Sequence, residues 1–264
     1  MRWALAAIAL AACNEPGQTE IARGNVLASR RQFEGAIEAY RAAARAEPNR
    51  ARPRELLGHV LFDLHRYPEA LAAYQEAERV EPQAALEARI GRARIDAEEG
   101  RLDDAFGALS EVLTRTPDNL YALLSRANVA IRRGKAGDAE QAIQDTAQAM
   151  RIDKKNASAL YTRGCAFIAA KETDSGWQAK AEEAFHLLEQ EHPGSPLAAY
   201  GRARAAAARA TPDRPAVLAN LREARQRAER GGELTGGWKA QEVKADPAFR
   251  ALKDDSDFAA VVGG

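Results

Sequence analysis

The sequence predicts an all-α chain built from repeated helix-turn-helix units. Three observations carry that prediction. The stretch Arg31-Gln32-Phe33-Glu34-Gly35-Ala36-Ile37-Glu38-Ala39-Tyr40, continuing to Ala43 and Glu47-Pro48, recurs 34 residues later as His65-Arg66-Tyr67-Pro68-Glu69-Ala70-Leu71-Ala72-Ala73-Tyr74, Ala77 and Glu81-Pro82. A fixed period of this length marks stacked supersecondary units. Gly24 and Leu27 return as Gly58 and Leu61 at the same offset. Alanine and arginine dominate while β-branched residues are few, a mixture that favours helix.

The whole chain sets limits on function. At 264 residues it would ordinarily make one or two domains, but repeat units bury their apolar faces on one another and act as a continuous body. Lys plus Arg and Asp plus Glu both number 38, so no strong field points to nucleic acid. The two cysteines, Cys13 and Cys165, are too few for a disulfide framework or a metal site. No stretch approaches the ~20 apolar residues of a membrane span.

The chain opens with one charge at Arg2, an apolar run from Trp3 to Leu10, and Leu10-Ala11-Ala12-Cys13. A charge, a short apolar segment and small residues before a cleavage point read as an export signal over residues 1–12. Leu-Ala-Ala-Cys resembles the bacterial lipobox. The resemblance implies cleavage before Cys13, lipidation of its thiol and new amino group (the usual acyl chain being palmitate), and firm attachment through several acyl chains. By resemblance to enterobacterial lipoproteins, Asn14 rather than Asp favours the outer membrane. Residues 13–19, with Pro16 and Gly17, read as the lipidated cysteine and a short tether.

Repeats follow over 20–230. The first two end at Pro48 and Pro82, because proline cannot continue a helix. In each, the first helix (A) carries the small residue and the leucine. The second helix (B) carries Ala36, Tyr40 and Ala43, then Ala70, Tyr74 and Ala77, an i, i+4, i+7 stripe that faces a core. Gly-x-x-Leu, Ala-x-x-x-Tyr-x-x-Ala and the closing proline resemble the tetratricopeptide repeat. That resemblance implies a right-handed α-α superhelix of about six units.

The third unit keeps Gly100-Arg101-Leu102, Ala105, Leu109, Val112 and Pro117, with a polar first helix in which Asp96 replaces Leu61. The fourth keeps Leu123, Ala127, Gly134, Ala142 and Ala149, and its turn swells around Lys135-Ala136-Gly137. The fifth sets Leu160, Gly164 and Phe167 against Ala181, Phe185 and Leu188. The sixth runs from Ser195 through Gly201 to Leu221 and stops at Gly231-Gly232. Over 231–264 a small duplication appears: Asp246-Pro247-Ala248-Phe249 is echoed by Asp255-Ser256-Asp257-Phe258 nine residues on. Each Asp reads as an N-cap and each Phe faces one side, as in a helical cap that closes the last repeat.

The residues give little sign of catalysis. There is no phosphate-cradling glycine loop, no zinc-protease helix and no nucleophile elbow. The six-residue gap between His186 and His192 puts the two imidazoles on opposite sides of a helix, poor for one metal. Cofactors are therefore not expected, and Cys165 reads as a small packing residue rather than a nucleophile.

In the resembled family, ligands lie along the concave face made by the A helices. The slot after each small residue gives Asn25, His59, Arg94, Asn128, Cys165 and Arg202; neighbouring inward slots give Arg52, Phe62, Tyr121, Arg132 and Tyr161. Asn can serve a peptide backbone, Arg can fork onto carboxylates, and aromatic rings can hold side chains. The clamp of chaperone-binding members is not matched, since Ile21 replaces its first Lys and Glu87 and Gly91 replace its third-unit pair. The resemblance thus implies a non-enzymatic lipoprotein scaffold that binds a protein or peptide in the periplasm and supports assembly of an envelope complex, for example a pilus or secretin machine. A soluble cytoplasmic adaptor, or a periplasmic adaptor for a protease or cell-wall enzyme, is the alternative.

Overall fold

The structure is a computed structural model that describes residues 16–230 and 239–263. Residues 1–12, Cys13 and the Gly231-Gly232 stop lie outside the described residues. All the described elements are helical, and the chain divides between Pro117 and Asp118 into two compact units.

Unit one holds three helical hairpins: α1 (Pro16–Ser29) with α2 (Phe33–Ala46), α3 (Arg52–Asp63) with α4 (Tyr67–Val80), and α5 (Leu86–Glu98) with α6 (Leu102–Arg115). Each B helix buries its predicted stripe, Ala36, Tyr40 and Ala43 in α2 and Ala70, Tyr74 and Ala77 in α4. Pro16–Thr19, expected in the tether, form the first turn of α1. Between the helices of each hairpin one residue takes the left-handed conformation: Arg31 (φ 59°), His65 (φ 58°) and Gly100 (φ 83°). Only the third is a glycine, so the first two turns carry the strain of a Cβ in that region.

The first helix of the third unit is polar, as expected, yet it keeps a buried apolar face. Asp96 does hold the backbone place of Leu27 and Leu61: their carbonyls accept from Arg101, Gln32 and Arg66 respectively, at 2.8–2.9 Å. Its carboxylate, however, turns out to pair with Arg101. The apolar face of α5 is supplied instead by Ala88, Ile90, Gly91, Ala93, Ile95 and Ala97, all buried.

Two A helices of unit one have N–H groups at their starts met by a glutamate from outside the helix. Glu81 Oε2 accepts from Ala51 N at 2.5 Å, and the buried Glu55 accepts from Ala88 N at 3.3 Å. These N–H groups have no partner within their own helix, and a carboxylate there also meets the positive end of the helix dipole. The first link closes the second repeat on itself, and the second ties that repeat to the third by a polar contact as well as by the apolar core.

Unit two holds α7 (Leu120–Arg133) with α8 (Asp138–Ile152), α9 (Ala157–Ala169) with α10 (Trp177–Glu191), and α11 (Pro196–Ala207) with α12 (Arg214–Glu229). Here helix starts are capped locally: Asn119, Asn156 and Asp213 accept from the N–H three residues on at 2.9, 3.0 and 3.1 Å. The swollen turn has left-handed glycines at 134 and 137, and Asp138 braces it through Arg133 and the Lys135 N–H.

The tail comprises α13 (Ala240–Ala245), a 3-10 helix (Pro247–Leu252) and α14 (Ser256–Val262). Both predicted caps are present. Asp246 accepts from Ala248 N at 2.9 Å, and Asp255 from Asp257 N and Phe258 N at 2.9 and 3.0 Å. Phe249, Leu252, Phe258, Val261 and Val262 join Val217, Leu218 and Leu221 in one buried cluster, so the tail closes the apolar face of the last hairpin.

Candidate functional site

The A face is positioned by aromatic rings from the B helices. The Tyr74 ring lies between Gly58 of α3 and Gly91 of α5, and a Cβ on either glycine would collide with it. The Phe185 ring lies in the same way between Gly164 of α9 and Gly201 of α11. Glycine is needed at these four places so that consecutive A helices can close on a ring they share.

In unit one this arrangement brings Asn25, His59, Phe62 and Arg94 to the A side. Tyr40 donates its hydroxyl proton to Asn25 Oδ1 at 2.8 Å. The equivalent pair one repeat on is Tyr74 and His59, whose rings sit 5.7 Å apart, and the buried Tyr74 hydroxyl has no hydrogen-bond partner. Burial, reinforced by the Arg94 and Arg52 cations, pushes His59 down to about 4, so the imidazole is neutral at neutral pH. The Arg94 guanidinium lies over the Phe62 ring at 4.1 Å, a cation–π contact. Arg52 is exposed, and its nearest carboxylate is Glu55 at 3.8 Å.

In unit two, Tyr121, Asn128 and Arg132 are exposed along one stripe of α7, with Tyr121 67% exposed. Asn128 donates to the Leu124 carbonyl of its own helix at 2.9 Å. Tyr161 is half-buried, its ring 6.1 Å from that of Phe185, and its hydroxyl accepts from Arg204 at 3.3 Å.

Two expected residues are misplaced by the sequence reading. Cys165 does not offer its thiol to a groove: it is 4% exposed among Phe167, Phe185 and Ala205, and burial pushes its thiol up. Arg202 does not face the A side. It turns to the B helices, bonding Asn220 and Glu223 at 3.2 Å and lying 3.5 Å from Glu189. The reason is register. Gly201 clears Phe185 as Gly91 clears Tyr74, each against the B helix of the preceding repeat. The match to Gly58 and Gly164 is Ala203, and the slot after it is Arg204.

Arg204, Tyr200 and Asp246 form an A-side cluster that sequence reasoning missed. Tyr200 donates to Asp246 Oδ2 at 2.7 Å, and Arg204 Nε lies 3.7 Å from the same oxygen. The signal was in the sequence: Gly91-Arg92-Ala93-Arg94 and Gly201-Arg202-Ala203-Arg204 are identical. Arg92 behaves as Arg202 does, turning to a B-helix carboxylate, Glu78, at 2.9 Å.

Comparison with known proteins places this geometry. The tetratricopeptide repeat family matches residues 21–85, 55–119 and 90–159, together more than half of the chain. A tetratricopeptide repeat protein of Parabacteroides merdae is 18% identical, with 93% of this chain and 90% of that one covered at a TM-score of 0.58. A thermophilic member from Thermus thermophilus is 22% identical (69% and 93% covered, TM-score 0.58), and the pilF protein of Pseudomonas aeruginosa is 17% identical (88% and 98% covered, TM-score 0.58). At these identities the likeness is one of fold. No curated protein matches the chain in sequence.

Proposed function

The chain belongs to the tetratricopeptide repeat family, and from that premise we propose that it is a non-enzymatic scaffold whose A-helix faces hold an extended segment or helix of a protein partner. The observation that carries this reading is the contrast between the two sides of unit one. On the B side, arginines are spent on neighbouring carboxylates, as in Arg66 with Glu34 and Glu69, Arg41 with Glu69 and Arg92 with Glu78. On the A side, Asn25 and Arg52 are exposed, and Arg94 rests on an aromatic ring with no carboxylate. Exposed polar groups beside aromatic rings are the materials of a recognition surface.

The scaffold is anchored through lipidated Cys13 and works in the periplasm, where it supports assembly of an envelope complex such as a pilus or secretin machine. Support for the anchor comes from the lipobox-like Leu10-Ala11-Ala12-Cys13 alone. The test has two arms. A photo-crosslinking residue at Asn25 or Tyr121, in native membranes, captures a partner, while the same residue at the exposed B-side Glu38 does not; equal capture from all three sinks the A-face reading. Acyl labelling and membrane retention vanish in Cys13→Ala, and a wild-type protein that is soluble and unlabelled leaves the cytoplasmic adaptor in its place.

A further inference from the structure

The two Gly-Arg-Ala-Arg stretches differ in what meets the second arginine and in the residue before the glycine, Tyr200 in unit two and the buried Ile90 in unit one. In unit two the second arginine, Arg204, is answered by the chain itself. Asp246 sets its carboxylate 3.7 Å from Arg204 Nε, an ion pair without a hydrogen bond, and accepts the Tyr200 hydroxyl at 2.7 Å. The same aspartate opens the 3-10 helix, and Phe249, three residues on, is 1% exposed and meets Tyr200 edge-on with the centroids 5.8 Å apart. An acidic residue that caps a tight turn is therefore a group this kind of arginine slot accepts.

In unit one the equivalent arginine has no such answer. Arg94 has the Phe62 ring beneath its guanidinium, the neutral His59 beside it, and no carboxylate partner among the described residues. Its planar fork of N–H donors suits a carboxylate held by two parallel hydrogen bonds. Stacking on Phe62 holds that fork in place, so little side-chain entropy remains to be lost on binding.

We infer that the Arg94–Phe62 position receives a side-chain carboxylate from a partner segment that opens a short 3-10 turn with an acidic residue, as Asp246 does in the tail. The inference rests on the reading of the unit-one A face as the partner surface, and adds the chemistry of what binds there.

The probe is a synthetic peptide with the sequence of residues 244–253, together with its Asp246→Asn form, titrated into the full-length protein. Binding is read by fluorescence anisotropy and by the Arg94 Nε–H resonance. The expected result is a shift of that resonance and an affinity that falls at least about tenfold with the Asp246→Asn peptide, or with the Arg94→Gln protein, the order set by a charge-assisted hydrogen-bond pair. Arg204→Gln leaves the Arg94 response intact. Binding that survives Arg94→Gln, binding lost only in Arg204→Gln because the peptide enters the tail's own dock, or no binding at millimolar peptide, each overturns the inference. If the peptide fails while Asn25 still crosslinks a partner, the scaffold reading stands and only the chemistry assigned to Arg94 falls.

Discussion

Tyr74 in unit one and Phe185 in unit two do the same packing work. Each ring fills the gap between two glycines on neighbouring A helices and is fully buried. They differ by one oxygen. Phe185 is complete as it stands, whereas Tyr74 carries a hydroxyl that is buried without a partner. Tyr40, one repeat earlier, shows how that hydroxyl is satisfied, because Asn25 accepts from it. The ring is thus the structural requirement, and the group facing its far end varies from repeat to repeat.

The largest effect expected is loss of the ring itself. Tyr74→Ala and Phe185→Ala should each cost about 3–5 kcal/mol, read by urea denaturation. A cost in one and not the other would break the equivalence of the two wedges.

The next effect lies in acid. The folded-state pKa of His59 is depressed to about 4 by burial and by Arg94 and Arg52, below its ordinary 6.5. A depressed folded pKa means that the unfolded chain takes up the proton first. The stability is therefore fully present above pH ~6.5 and is lost as pH falls toward 4, by up to ~3 kcal/mol. His59→Asn, which gives this repeat the residue its neighbour has, should remove the His59 part of that loss; an unchanged pH profile would show that His59 is not its source.

Smaller still is the hydroxyl. Tyr40→Phe should cost about 1 kcal/mol, since it breaks a bond to Asn25, while Tyr74→Phe should be neutral or stabilising, since it removes an unpaired buried group. Equal costs would mean the two hydroxyls are not in different states. The smallest expected effect concerns the hairpin turns. Arg31→Gly and His65→Gly should each gain about 0.5–1 kcal/mol in melting experiments by relieving a left-handed Cβ, as Gly100 already does in the third repeat.

Much of this was legible in the sequence, for physical reasons. The B-helix stripe repeats because every unit must bury the same face, so Ala36, Tyr40 and Ala43 announce their burial. The tail caps were legible because an Asp ahead of a helix has one dominant use. The A side was harder to read. Glycine and alanine are both small enough to let helices approach, and in α5 and α11 both occur two residues apart. A slip of two residues rotates a side chain by about 200°, enough to exchange the two faces of a helix. That slip put Arg202 where Arg204 belongs. Asp96 takes Leu61's backbone place, yet Ile95, in the place of the buried Val60, still fills the core. The burial of Cys165 was illegible for another reason: it depends on Phe185 and Ala205, which belong to other helices.

That buried thiol has a practical consequence. Cys165 is the free cysteine of the described residues, and the apolar surroundings that raise its pKa also shield it from reagents. A thiol in this state can be alkylated only in the intervals when its hairpin parts from the next one. The rate of labelling under native conditions is then a clock for the breathing of unit two, wired into the chain at one atom. It needs no engineered probe, and it would run measurably slower whenever a bound partner holds those helices together.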